Sequence, residues 1–482
     1  MKFLWSALIF AALHCNIIVF GQETYNSEND NCCEEYCYSK DPDKSQTRQY
    51  ATKTAYDVAK GSDSSVNYKI AGCIQEKVWI MIRHGARWPT VKDIQEMRNL
   101  EDLRVEVIRN YEERKTQPST GALCMDDKFS IKTWKLSKNL STDSFAEKLA
   151  PQGYQDMKLI ARNYRRFLPE IFEPIDERNF DFRYTPTQRT QESFKAFAEG
   201  ILQRAPDVGP QPEVDPVLNP YAGCDRWEEQ NKNDKSNNAS EYNIFINSEI
   251  MKDTVRRISR RLGFKFALSR AQIDTVWDMC RFEQAWHPNR NSPWCAAFTP
   301  EHVTVLEYAE DLRNYYKVGY GNELNSRIAC SAVQDMVRHL NNSNEPHIAA
   351  YFTHSANIQL LLTALGIAKD RDALRANNFH DMKNRNWKSS ELAPFASNFA
   401  AIKYSCEGGN EKRVMFVLNQ KTVDLDWCKV GLCNWGDALV TLDRFTKADC
   451  SQYYCSENSS TNIQSSFLVL ILTLIIYFIN GY

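Results

Sequence analysis

The chain has no excess of charge of either sign: across 482 residues the formal net charge is −2. That balance excludes a nucleic-acid binder working by bulk electrostatics, so any anion site must be local. It has no basic tract and no glycine-rich nucleotide loop. No pair of CxxC motifs occurs. No histidine neighbours the close spacings Cys32-Cys33-Cys37, Cys428…Cys433 and Cys450…Cys455, which argues against zinc. No internal repeat is visible. What the chain does have is an apolar fraction of 43%, enough for a full-sized core in two domains or in one large domain with an insertion.

Both ends read as targeting signals. Lys2 precedes the apolar stretch FLWSALIFAALHCNIIVFG, the build of a secretory signal peptide over residues 1–21, with Gly21 at the cleavage point. At the other end, residues 456–482 have the pattern of a GPI-attachment signal. Asn458, Ser459 and Ser460 are small candidate attachment positions, Thr461 to Ser466 is a polar spacer, and Phe467 to Ile479 is apolar but shorter than a standard span of about 20 residues. Of the 15 cysteines, Cys15 falls within the signal peptide, and the even remainder implies disulfides in an oxidising compartment, with no pairing readable. Sequons at Asn139, Asn238 and Asn341 fit a glycosylated surface. The expectation is a protein of the secretory pathway, held on the outer face of the plasma membrane by a lipid anchor or secreted. Its oligomeric state is not readable.

Residues 22–70 read as an irregular, cysteine-containing arm. Val78 to Ile82 is continuously apolar, as a strand buried on both faces should be. Gly85 and Pro89 break it, and Val91 to Tyr111 has helical spacing. Phe180 to Thr185 is a second strand candidate, followed by a helix starting at Pro186 or Thr187 with Phe194, Phe197 and Ile201 on its apolar face. Ile348 to Phe352 is a third, followed by a helix from Asn357 to Leu365 capped by Gly366. NFAAIKYSC and KRVMFVLNQK read as a late pair of strands. Strand, loop and helix recur three times, which predicts an α/β fold with a mainly parallel central sheet and flanking helices. Residues 71–204 and 345–455 would form this discontinuous core, and 205–344 a mainly helical cap insertion.

Ligands of such sheets bind beyond the carboxyl ends of the strands. The first strand ends in Arg83, His84 and Arg87, the second is followed by Arg189, and the third by His354. Cations so close together need an anion between them. Guanidinium forks match phosphate oxygens bidentately, and phosphoryl transfer needs those oxygens neutralised. An imidazole among arginines would have its pKa lowered, leaving it neutral, nucleophilic and able to form a phosphoenzyme.

RHGARWP fits the R-H-G-x-R-x-P signature of the histidine acid phosphatases. The chain resembles one branch more closely, the multiple inositol polyphosphate phosphatases, in RHGARWPTVKDI, SPWCAAFTPEHVTVLEYAEDLRNYYKVGYGNELNSR and LAPFASNFAAIKYSCE. The likeness runs from about Val78 to about Cys455. It implies His84 as nucleophile, Arg83, Arg87 and Arg189 around the transferred phosphoryl group, and His354 hydrogen-bonded to it. Thr90 and Lys92 on the same loop would reach other phosphates of the substrate. Inositol polyphosphates, and by the same resemblance 2,3-bisphosphoglycerate, are the implied substrates. No metal or other cofactor is expected, because three arginines supply the neutralisation that a divalent ion gives elsewhere. His287, His302, His339, His347 and His380 sit in no motif and read as ordinary surface or core residues.

The chain departs from the pattern at the third strand. Most members place Asp directly after the histidine, and the inositol polyphosphate branch uses His-Ala-Glu. Here the segment is THSANIQ, with Ser355 at the Asp position and Ala356 at the Glu position. Neither can protonate a leaving group as a carboxylic acid does. The alternatives are a catalytically impaired surface protein that binds phosphorylated ligands, and a broad-specificity acid phosphatase.

Overall fold

The computed structural model describes residues 36–60, 68–236, 240–428 and 431–455. The signal peptide, the Asn238 sequon and the attachment candidates Asn458, Ser459 and Ser460 lie outside them. Among the described residues no helix is long and apolar enough to cross a membrane.

The sheet contains β1 (Cys73–Arg83), β2 (Phe180–Tyr184), β3 (Ile348–Thr353), β4 (Asn398–Cys406), β5 (Glu411–Leu418), β6 (Lys421–Thr422) and β7 (Leu432–Asn434). The order is β2-β3-β1-β4-β5-β6, with β7 also on β5. Alternation along the central strands explains why they read as unbroken apolar runs. Trp79, Met81, Ala349 and Tyr351 enter the core on one face, and Val78, Ile80, Ile82, Ile348, Ala350 and Phe352 the core on the other. The register is parallel from Val78 against Ile348 to Arg83 against Thr353. His84 and His354 therefore leave the sheet side by side.

The α/β class and flanking helices are as expected, but the sheet is mixed rather than mainly parallel. β3 pairs parallel with β1 and β2, whereas β4 to β7 all join antiparallel. The cause lies after β3. The chain does not cross back to the amino edge; Phe395 to Ser397 return it to the carboxyl edge, where the Ala396 N–H donates to His84 O at 3.1 Å and the Arg83 N–H to Ser397 O at 2.7 Å. β4 must then run opposite to β1, starting with Asn398 across from Ile82.

Residues 91–111 form two helices, Val91–Arg98 and Leu100–Glu112, because the ladder tightens at Asn99, whose N–H donates to Glu96 O. The third-strand helix begins earlier than expected, at Ser355, with His354 as its N-cap, and ends at Gly366 with φ of 83°. The described part of 205–344 is helical, and its apolar faces, including Ile273, Val276, Val303 and Leu312, belong to the core on the Trp79 side of the sheet. Residues 36–60 are irregular, as expected, yet Tyr38, Tyr50 and Tyr56 are fully buried, so this arm is part of the body. All described cysteines are paired: Cys37–Cys124, Cys73–Cys406, Cys224–Cys455, Cys280–Cys295, Cys330–Cys450 and Cys428–Cys433.

Candidate active site

His84 lies one residue beyond β1, buried, with its N–H on Thr353 O at 3.0 Å. Its Nδ1 is 2.8 Å from the carbonyl of Gly85. A carbonyl can only accept, so Nδ1 carries the proton and Nε2 keeps its lone pair. Facing it, the His354 ring lies 5.6 Å away between centroids, and its Nε2 shares a hydrogen bond of 3.0 Å with Thr185 Oγ1 at the end of β2. The loop after β1 is held tightly from below. A Cβ on Gly85 would lie 2.4 Å from Gly153 O, and one on Gly153 2.3 Å from Ala86 O, so two glycines let helix Pro151–Phe167 touch the loop's backbone. Ser193 Oγ accepts from the Gly85 N–H at 3.1 Å.

The arginines gather around the imidazoles without carboxylate partners to match. Arg83 is buried, donates to the carbonyls of Ala393 and Thr52, and lies 4.5 Å over the Phe395 ring. Arg87 donates to Trp88 O at 2.7 Å. Arg189, at the start of helix Gln188–Leu202, has the half-exposed Glu147 as its one carboxylate partner among the described residues, at 3.8 Å. Among the described residues, the Nε atoms of Arg83 and Arg189 are buried with no hydrogen-bond partner. Clustered cations with spare donors are costly unless an anion completes them.

The electrostatics follow from this crowding. Burial, then Arg83, His354, Arg189 and Arg87, hold His84 well below the usual imidazole range. Burial, followed by Arg189, Arg83 and Arg87, lowers His354 to about 3. Both rings are neutral at any ordinary pH, so one can attack phosphorus and the other can donate a hydrogen bond.

Five residues named from sequence thus converge: Arg83, His84, Arg87, Arg189 and His354. Two do not join them. Thr90 spends its side chain on a capping box, accepting from the Asp93 N–H at 3.2 Å, and Lys92 is 83% exposed beside Glu96. Both belong to the helix that follows the loop rather than to the loop. Ser355 and Ala356 lie half-buried in the first turn after His354, and the next residue, Asn357, is turned into the core, donating to Val217 O. Sequence reasoning missed Thr185, Ser193, Gly153 and Phe395. Ser193 had a signal, being four residues, one helical turn, after Arg189.

A buried, neutral histidine among arginines at the carboxyl end of a parallel strand pair is the arrangement expected of a histidine acid phosphatase. Residues 76–419 match the histidine phosphatase superfamily (branch 2). The chain is 44% identical to multiple inositol polyphosphate phosphatase 1 of Drosophila melanogaster, over 91% of this chain and 94% of that one. It is 27% identical to multiple inositol polyphosphate phosphatase 1 of Homo sapiens, over 73% and 76%. Among solved structures, the phytase from D. castellii superposes with a TM-score of 0.69 at 18% identity, covering 86% of this chain and 89% of that chain. The Bifidobacterium longum multiple inositol polyphosphate phosphatase bound to inositol hexasulfate gives 0.57 at 14%, covering 78% and 93%. The chain belongs to branch 2 of the histidine phosphatase superfamily, among the multiple inositol polyphosphate phosphatases.

Proposed function

We propose that the protein hydrolyses phosphate monoesters of inositol polyphosphates through a phosphohistidine on His84. The observation that carries this is the neutral His84, its Nδ1 proton held by Gly85, set among Arg83, Arg87 and Arg189. Nε2 attacks phosphorus, the P–O bond to the inositol oxygen breaks, and the arginines neutralise the equatorial oxygens. Water then attacks the phosphohistidine, releasing phosphate and restoring the imidazole. His354, fixed by Thr185, supplies a hydrogen bond to the phosphoryl group.

The departing alkoxide still needs a proton, and Ala356 cannot give one. A positioned acid contributes roughly 10²–10⁴-fold, so turnover of an unactivated ester is reduced by about that factor relative to a relative that has one. An aryl ester leaves without help. The expected result for purified protein is efficient cleavage of p-nitrophenyl phosphate, weak cleavage of inositol hexakisphosphate, and neither in His84→Ala. Equal handicap on both esters would overturn the assignment of Ala356 as a missing acid. The same absence favours a second reading, a surface protein that binds polyphosphates without turnover. Inositol hexakisphosphate binding by calorimetry with no phosphate release from either ester would establish it.

The proposed setting is the secretory pathway and the outer leaflet, supported by the two terminal sequences and by the disulfides. Phosphatidylinositol-specific phospholipase C is expected to release the protein from cells; retention would point to a spanning anchor instead.

A further inference from the structure

Beside the catalytic loop lies a cleft of about 410 Å³. Trp88, Phe145, Tyr154 and Pro151 line it, with Gln155 and Glu192 among its polar groups. Trp88 packs edge-on to Phe145 with centroids 5.9 Å apart, while its other neighbour, Trp286, fixes it at 4.4 Å. Phe145 is 39% exposed. Aromatic faces with a few amide or carboxylate groups suit a pyranose ring: the rings cover its C–H face and the polar groups take its hydroxyls.

The lining of the cleft also includes Asn139, the first residue of the sequon Asn139-Leu140-Ser141. Asn139 is half-buried in the turn Lys138–Leu140, and among the described residues its carboxamide has no hydrogen-bond partner. The other described sequon residue, Asn341, is exposed, and its Oδ1 accepts from Trp435 Nε1 at 2.8 Å. A glycan on Asn139 would begin at the mouth of an aromatic cleft, within reach of its rings from the first sugar onward.

We propose that Asn139 carries an N-linked glycan whose first N-acetylglucosamine seats in this cleft and braces the catalytic loop. The cleft wall is the loop itself. Trp88 N–H donates to Lys148 O at 2.8 Å, Ala150 N–H donates to Ala86 O at 2.8 Å, and Arg87 bridges Leu149. A sugar resting on the exposed Phe145 ring and on Tyr154, against the edge of the buried Trp88, closes these two segments against each other. The proposal rests on secretory routing.

The test uses the full chain made through the secretory pathway of human cells that add high-mannose glycans. Peptide mass spectrometry is expected to find Asn139 modified. An endoglycosidase that leaves one N-acetylglucosamine should not change amide hydrogen exchange over residues 86–90 and 145–150. An amidase that removes the whole glycan, leaving aspartate at position 139, and Ser141→Ala, which leaves an unmodified asparagine there, should both accelerate it roughly fivefold, the size expected for losing one local contact. Tyr154→Ala should make the single-sugar form exchange as fast as the bare one. An unmodified Asn139 beside a modified Asn341, or exchange indifferent to the first sugar, overturns the proposal with routing intact. No glycan on either asparagine overturns the routing, and the proposal with it.

Discussion

Ala356 sits in the first turn after His354, half-buried against the core. A carboxylic acid there would stand two residues from His354, in the first turn of the same helix. Ala356→Glu is therefore expected to raise turnover of inositol hexakisphosphate, by up to about 10²-fold, and to leave p-nitrophenyl phosphate nearly unchanged. Steady-state rates on both esters check this, and no gain in a folded variant means another group already donates the proton. The histidines set a second expectation. An unfolded imidazole titrates near its ordinary value of 6.5, whereas folded His354 does so at about 3 and His84 well below 6.5. Between those values the unfolded chain binds protons that the folded chain refuses, so their contribution is complete above about 6.5 and fades as pH falls. Thermal melts between pH 7 and 4 should show this loss. Saturating phosphate should shallow it, because an anion among the arginines favours charged imidazole. His84, His354 and the arginines were legible in the sequence because each lies at a strand's end, in the loop just beyond it, or at the start of a helix. Thr90 and Lys92 fall at the cap and first turn of a helix rather than on the loop, because a turn that binds phosphate and a turn that caps a helix use the same residue types.

Helix Pro151–Phe167 places the loop, and nothing in its own sequence advertises that role. Gly153 matters only because Gly85, distant in the chain, comes to lie against it. Gly153→Ala must push the loop away, since a Cβ at 2.3 Å from Ala86 O cannot be accommodated, and a misplacement of order 1 Å costs about 10²-fold in rate. The expected outcome is a fall in kcat on p-nitrophenyl phosphate in a protein that still folds, as circular dichroism would report. One turn further along, burial pushes Asp156 up to about 7, against the opposing hydrogen bond from Gln152. The folded carboxyl holds its proton where the unfolded one, near 3.8, has lost it. Its stabilising share is present at low pH and disappears as pH rises through about 7. Asp156→Asn should melt like the parent at pH 4 and at higher temperature than the parent at pH 8.

At the scale of the whole molecule, the α/β class and the helices within 205–344 could be read from apolar periodicity, which reports local geometry. Strand direction after β3 and the disulfide partners could not, because both are decided by where the chain returns in space. Cys450 and Cys455 are close in sequence, yet they reach Cys330 and Cys224, 120 and 231 residues away. Removing a native disulfide typically costs about 2–5 kcal/mol, so Cys330→Ala with Cys450→Ala should lower the melting temperature while leaving His84 chemistry intact. Rates at 25 °C and a thermal melt separate the two effects. A covalent pair at the end of the described chain also has a mechanical meaning. A pull applied beyond Cys455 passes first through sulfur into the helical layer at Cys224 and Cys330, and the strands that carry the two imidazoles bear none of it directly. Whatever the chain's last segment is fastened to, tension there is shunted around the reaction chamber.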